Sequence, residues 1–440
     1  MRTLKLGDVC TKIGSGATPR GGSDVYLAEG VPLIRSQNVY NDGFHFDGLA
    51  FIGEKHANEL LGVTVEPGDV LLNITGDSVA RSCRAPAEIT PARVNQHVAI
   101  IRPDESVLDS RYLHYYLVSP EKQASMLSLA SGGATRNALT KGMIENFEVP
   151  APPIEVQEAI AEFLGSLDDK IEQNRRTGSK LEGLARTVFK AWFVDFEPVK
   201  AKAAGATAFP GMPPETFATL PTRFTNSELG QLPQGWTDTD LGSEFELQVG
   251  YAFKSAQFTD NTEATRLVRG DNVKEGWIEW GSKTRRWEAL NDKIRGYSLS
   301  AGDVVIGMDG SKLGRNWARI REFDLPALLV QRVARFRANR LAGPSLLWLL
   351  ISHPSFREFI DAVKTGTSIP HISGGQLRDF KFVKPGTESG QVWSTFEDAV
   401  APLLKMADHL AGESKKLAEL RDYLLPRLLC GRVKVGVTNG

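Results

Sequence analysis

Leu33-Ile34-Arg35-Ser36-Gln37-Asn38-Val39 returns 234 positions later as Leu267-Val268-Arg269-Gly270-Asp271-Asn272-Val273. The spacing persists on either side. Pro67-Gly68-Asp69-Val70-Leu71 matches Ala301-Gly302-Asp303-Val304-Val305, and Val94-Asn95-Gln96-His97-Val98-Ala99 matches Leu329-Val330-Gln331-Arg332-Val333-Ala334. Tyr112–Leu117 parallels Leu346–Ile351, Ser131-Gly132-Gly133 parallels Thr365-Gly366-Thr367, and Asn146–Pro150 parallels Asp379–Val383. One pair could be chance, but a collinear series at a nearly constant offset is a duplication. The period far exceeds the roughly 20–50 residues of solenoid repeats, so the repeated unit is a domain.

Each copy reads in the same order. Short apolar runs bounded by Gly, Pro, Asn and Asp predict strands at 31–34, 70–74 and 98–101. A helical stretch follows at 111–129, with its equivalent at 345–363. A long amphipathic helix ends each copy. Proline-rich 150–153 stops a strand and suits a helix start. Then Ile160, Leu164, Leu167, Ile171, Asn174, Gly178, Leu181, Ala185, Val188 and Trp192 alternate by four and three, the seam of a coiled coil. Phe396, Val400, Leu403, Ala407, Leu410, Ser414 and Leu417 repeat the pattern. Leu420, Leu424 and Leu428 then continue it in a slipped register that leaves Arg421 on the seam. Asn174 and Ser414 are polar seam positions able to fix register.

The expected fold is α+β with a pseudo-twofold internal repeat. Two similar β-rich domains (1–150 and 237–388) are separated by two long antiparallel helices (151–195 and 389–432) forming a coiled coil. Residues 196–236, rich in Pro, Gly, Ala and Thr, read as a connecting segment, and 433–440 as a tail. At 1.5 Å per residue the first helix spans roughly 60 Å, which would set the domains at opposite ends of a rod.

The chain has 440 residues, 41% hydrophobic and 24% charged, with 52 Lys or Arg against 53 Asp or Glu. A net charge of −1 means that any contact with nucleic acid rests on local patches. A mean hydropathy of −0.22 and the absence of an apolar run of about 18 argue against a membrane span. Cys10, Cys83 and Cys430 lie far apart and form no metal spacing, and the amino terminus lacks an apolar signal core. Both features fit the cytoplasm.

No phosphate-binding glycine loop, dinucleotide fingerprint, HExxH or Gly-x-Ser-x-Gly elbow is found. The Asn-Pro-Pro-aromatic tetrapeptide used by enzymes that methylate a flipped base is missing too. The sequence offers no catalytic and no metal-ligating residue.

Binding is better supported. From Arg266 to Arg337, fifteen Lys or Arg face nine acids. Arg81, Arg84, Arg93 and Arg102 concentrate in the first copy. Phosphates need such cations, and base edges favour Arg, Asn and Gln. Three kinds of small-residue turn present them. Gly14–Arg20 offers Thr18 and Arg20, with Lys254 in the second copy. Gly76–Arg81 is paired with Gly310–Arg315, which carries Lys312 and Arg315. Ser131–Asn137, which carries Arg136 and Asn137, is paired with 365–371, which carries His371. Arg84, Arg332 and the repeated pairs Arg35 with Asn38 and Arg269 with Asn272 complete the DNA-binding candidates. The candidates for helix pairing are Ile160, Leu164, Leu167, Ile171, Leu181, Val188, Leu403, Leu410, Leu417 and Leu424.

Several segments together resemble the specificity subunit of type I restriction–modification enzymes. They are Gly14-Ser15-Gly16-Ala17-Thr18-Pro19, the Pro152-Pro153-Ile154-Glu155-Val156-Gln157 helix entry, Ala191–Lys200, Ser227–Trp236 and Leu424–Gly431. The second copy lacks the Thr-Pro loop, having Val249-Gly250-Tyr251 there, and also the double proline. The resemblance implies a non-catalytic subunit whose two domains each read half of an interrupted site in double-stranded DNA. It implies two modification subunits that bind S-adenosylmethionine and methylate adenine, and restriction subunits that use ATP and Mg. It implies no cofactor in this chain. The competing expectations are a coiled-coil scaffold that ignores DNA sequence and a self-sufficient DNA-modifying enzyme.

Overall fold

The computed structural model describes residues 2–132, 137–227, 230–281, 283–339, 342–366, 370–386 and 389–436. Two compact units emerge. The first comprises Met1–Gln173 with Ser414–Gly440, and the second Asn174–Glu413. Each unit therefore holds one β-rich half and a stretch of both long helices, where the sequence had suggested helices separate from the domains.

In the first unit Cys10–Ser15, Val98–Pro103, Val70–Asn73 and Ser82–Arg84 form an antiparallel sheet in that order. A second sheet runs Ala50–Ile52, Val31–Ile34, Ala92–Val94, Thr64–Val65. Side chains alternate across a strand. Leu71 and Ile100 thus face the second sheet with Ile34, Val65 and Val94. Val70, Leu72, Ala99 and Ile101 face the other way, onto Tyr112, Leu113, Leu117 and Ile144. With both faces covered, the Val70-Leu71-Leu72 run is apolar throughout rather than alternating.

The second unit repeats the plan. Phe245–Val249, Val333–Ala338, Val304–Gly307 and Trp317–Arg319 form one sheet, and Arg285–Trp287, Thr265–Val268 and Ala327–Leu329 the other. In each copy the helical stretch is two helices, Ser110–Val118 with Pro120–Ser131 and Pro344–Ser352 with Pro354–Val363. The break falls before a proline, which bars the preceding residue from helical backbone.

The segment 196–236 is folded, not a loose linker. It contains the helices Glu197–Ala203 and Pro214–Thr219 and the paired strands Phe224–Ser227 and Gly230–Pro233. Its Phe196, Val199, Phe217, Leu220, Leu232 and Trp236 join the second unit's core beside Trp192, Phe193 and Phe396. Overall composition concealed these few, widely spaced apolar anchors.

The long helices are Ile154–Phe193 and Ser389–Leu429. They run antiparallel within each unit. In the first, Arg421 Nη1 donates to Asp168 at 2.6 Å, and Ile160 and Leu164 share a cluster with Leu425 and Leu428. In the second, Asn174 Nδ2 donates to Glu413 at 2.8 Å, and Gly178 lies against Ala407. The seam is buried at Ile160, Leu164, Asn174, Ala185, Trp192, Phe396, Val400, Ala407 and Leu428. It is half-buried at Leu167, Ile171, Leu181, Val188, Leu403, Leu410, Leu417 and Leu424. The expected slip of register does not occur. Leu420 is exposed, and Arg421 keeps the seam position because Asp168 neutralises it.

Gln157 ties the first helix to its sheet domain. It is buried, accepts the Asp109 N–H at 3.1 Å, and donates to the carbonyls of Val107 and Pro152 at 3.1 and 2.9 Å. Glu397, 240 positions on, accepts the Ser345 N–H and hydroxyl in the same way. Gln157→Ala should cost about 1–3 kcal/mol in urea unfolding, because it strands buried backbone groups. Burial pushes the Glu397 carboxyl above its ordinary range. The folded state therefore holds that proton more tightly than the unfolded chain does, and stability is lost as pH rises through the raised value. Glu397→Gln removes this dependence. Its Tm relative to the natural protein should be higher at neutral pH than below the usual carboxylate range.

Candidate nucleic-acid interface

Both units carry a loop surface held by the same three backbone bonds. In the first, Ile74 N–H donates to His97 O at 3.0 Å, Gly76 N–H to Asn137 O at 3.2 Å, and Leu139 N–H to Ile74 O at 2.9 Å. In the second, Met308 N–H donates to Arg332 O at 2.9 Å, Gly310 N–H to Pro370 O at 3.0 Å, and Ile372 N–H to Met308 O at 2.9 Å. Three loops distant in sequence are thereby brought together twice.

A further pair of elements frames each surface. Asn38 accepts the Arg35 N–H at 3.1 Å and donates to His45 O at 2.9 Å. Asn272 accepts the Arg269 N–H at 3.2 Å and donates to Glu279 O at 3.1 Å. Both asparagines are buried. They build the turn, and their amides are consumed in it, which removes them from the candidate DNA contacts. Gly16 and Gly250 also repeat. A Cβ there would lie 1.9 Å from Val94 O and 2.1 Å from Val330 O, so only glycine lets these chains cross. The glycine survives in the second copy although the Thr-Pro that follows it does not.

In the first unit the loops enclose a cleft of about 420 Å³ lined by Ser36, Gln37, Tyr40, Thr75, Arg81 and His97. The Arg81 guanidinium lies 4.6 Å from the centroid of the Tyr40 ring, which stacks on His45 at 4.0 Å. Thr75 Oγ1 lies 2.6 Å from His97 Nδ1, and Gln96 joins His97 to the Thr18 hydroxyl. This hydrogen-bonding, aromatic surface with one stacked cation suits base edges and phosphates together. Of these residues Gln37, Tyr40, Thr75, Gln96 and His97 were not among the sequence candidates. Gln96 carried a signal, its recurrence as Gln331.

The remaining candidates separate by environment. Thr18, Arg20, Asn137, Lys254, Lys312, Arg315 and His371 are exposed. Arg332 is 67% exposed and 3.8 Å from Asp309. Arg35 donates to Gly48 O beneath Tyr26, and Arg269 reaches Asp271 at 3.4 Å. Arg84 turns toward the helical side, near Arg111 and Asp109. Burial lowers its pKa and its Nε is enclosed, so it too leaves the contact list. Arg136 lies outside the described residues.

Part of the basic stretch of the second copy is turned inward. Arg319 and Arg321 reach Asp408 on the second long helix at 2.6 and 3.0 Å. Arg335 pairs with Glu246, Arg337 with Asp303 at 2.6 Å, and Arg266 stacks on Trp280. Arg102 pairs with Asp69 at 2.7 Å in the first copy. Acids distant in sequence absorb these cations, so the local charge excess overstated the surface open to DNA.

Each unit thus presents a loop surface of the same build, and among the described residues no cluster of groups able to hold a metal is found. The family model for the type I restriction modification DNA specificity domain matches residues 1–182. The MjaX specificity subunit relative of Methanocaldococcus jannaschii is 30% identical over 445 residues, covering 98% of this chain and 93% of its own. The type I restriction enzyme MjaVIII specificity subunit of that organism is 24% identical, covering 89% and 85%. The S subunit structure of a type I restriction–modification system from M. genitalium superposes with a TM-score of 0.59 at 14% identity, over 97% of this chain and 95% of that one. The chain belongs to the family of type I restriction enzyme specificity subunits. Among the described residues no helix is long and apolar enough to cross a membrane.

Arg81→Ala should leave Tm within about 2 °C of the natural protein, since it removes only one half-buried cation–ring contact on a loop. Arg102→Ala should cost on the order of 3 kcal/mol, because Asp69 would be left buried and unpaired. Thermal unfolding of the two variants checks the division between surface and structural arginines.

Proposed function

We propose that this chain is the address-reading, non-catalytic subunit of a type I restriction–modification complex in the cytoplasm. Each loop surface reads one half of an interrupted site in double-stranded DNA. The three repeated backbone bonds carry this reading, because they place two equivalent surfaces in one chain. The exposed candidates Thr18, Arg20, Asn137, Lys254, Lys312, Arg315, Arg332 and His371, with the half-buried Arg35, Arg81 and Arg269, would supply the contacts.

The long helices would set the gap between half-sites and dock two modification subunits. Adenine methylation would belong to those subunits with their S-adenosylmethionine. Translocation and cleavage would belong to restriction subunits with ATP and Mg. The purified chain alone should transfer no methyl group from S-adenosylmethionine, and methylation by it would favour a self-sufficient enzyme.

The gap is testable. One heptad inserted after Gln173 and another after Glu413 adds about 10 Å to each helix, or roughly three base pairs. Methylome sequencing of a host carrying the complex should show unchanged half-sites with a wider gap. An unchanged gap defeats the spacer reading, and methylation independent of this gene defeats the whole proposal.

A further inference from the structure

A cleft of about 400 Å³ in the first unit shares no residue with the loop surface. Tyr116, Ser119, Lys122, Ser125, Phe147 and Leu429 are among its walls, with the acids Glu121 and Glu148. The duplication shows what the same place looks like when filled. Ser119, Lys122 and Ser125 correspond, 234 positions on, to His353, Phe356 and Phe359. Phe147 corresponds to Phe380, and Leu429 to Phe189, 240 positions earlier. In the second unit Phe356 and Phe359 meet Phe380 at 5.2 and 5.4 Å, and Phe189 meets His353 at 5.7 Å. Aromatic rings fill there what small or flexible side chains leave open in the first unit.

Lys122 replaces a fully buried phenylalanine and is itself 8% exposed. Its ammonium lies 3.8 Å from the Phe147 centroid and 5.4 Å from that of Tyr116. Among the described residues no hydrogen bond or ion pair reaches it. Burial pushes its pKa down to about 8, although the Glu148 carboxylate acts the other way from a distance too long for an ion pair. Ring faces stabilise a cation only in part, and a desolvated charge is best relieved by a counter-ion.

The geometry points to an accessory site in the first unit for an aromatic group bearing a carboxylate, its ring lodged against Phe147 and Leu429 and its anion on Lys122 Nζ. A free aromatic acid and the C-terminal aromatic residue of another chain share this chemistry. The site does not depend on the DNA-reading proposal.

Calorimetric titration of the full chain with 3-phenylpropionate and with acetyl-Gly-Gly-Phe tests it. At least one should bind. Tighter binding of the acid indicates a free ligand, and tighter binding of the peptide a chain terminus. Ser125→Phe with Leu429→Phe, which restores the second copy's rings, should abolish binding while the near-ultraviolet circular dichroism shows a folded protein. Lys122→Met should weaken the carboxylates about tenfold and leave 3-phenylpropanamide unchanged. That comparison stands even if the double variant does not fold. No binding of either carboxylate at millimolar concentration, undiminished binding to the folded double variant, or equal loss of acid and amide in Lys122→Met overturns the inference.

Discussion

A carboxylate beside the seam of each long helix must be neutralised, and how that is done determines how each sheet domain holds its helices. Asp168 and Asp408 occupy equivalent places, 240 positions apart. Asp168 accepts from the Tyr115 hydroxyl of its own domain and from Arg421 of the other helix, both at 2.6 Å. Asp408 accepts from Arg319 and Arg321 of its domain. Burial raises the Asp408 carboxyl and lowers the Arg319 guanidinium, so each ion resists its charge despite a close partner. Such a pair adds little net stability over an apolar one, but breaking it is costly. Its effect here is to specify one docking of helices on sheet. Shifting either helix by a residue would leave these buried and half-buried ions unpaired.

This requirement explains where the basic residues went. Arg319 ends the edge strand Trp317–Arg319, and Arg335 and Arg337 lie in a central one, Val333–Ala338. Their acids, Asp408, Glu246 and Asp303, come from a helix, an edge strand and a turn. A charge count over consecutive residues cannot see partners that far away. Cations on the loops at Lys312, Arg315 and Arg332 keep their exposure because the loop bonds use main-chain atoms only.

Much of the architecture was legible because duplication and heptad spacing are properties of order along the chain. The repeat located equivalent strands, and the four-three spacing located both helices. Three features needed coordinates. Gln157 reads as part of a motif, but its three hydrogen bonds to loop and helix entry depend on tertiary approach. Asn38 looks like a base reader until its amide is found closing a turn. The 196–236 segment has the composition of a linker, yet a few rings suffice to fold it, since burying an aromatic side chain is worth about 1.5–3 kcal/mol.

The two copies have kept the frame and changed the side chains. Ile74, Gly76 and Leu139 make the same main-chain bonds as Met308, Gly310 and Ile372, whatever their side chains. Within that frame Tyr40 becomes Lys274 and His97 becomes Arg332, while Arg81 remains as Arg315. A surface fixed by backbone bonds tolerates such exchanges, because the three bonds that hold it use no side chain. Asn38 and Asn272 show the converse: being structural, they are the same in both copies. A duplicated fold that carries different loop side chains in its two copies needs this separation. It accounts for a strict skeleton of Asn, Asp and Gly carrying loop side chains that differ in charge and shape.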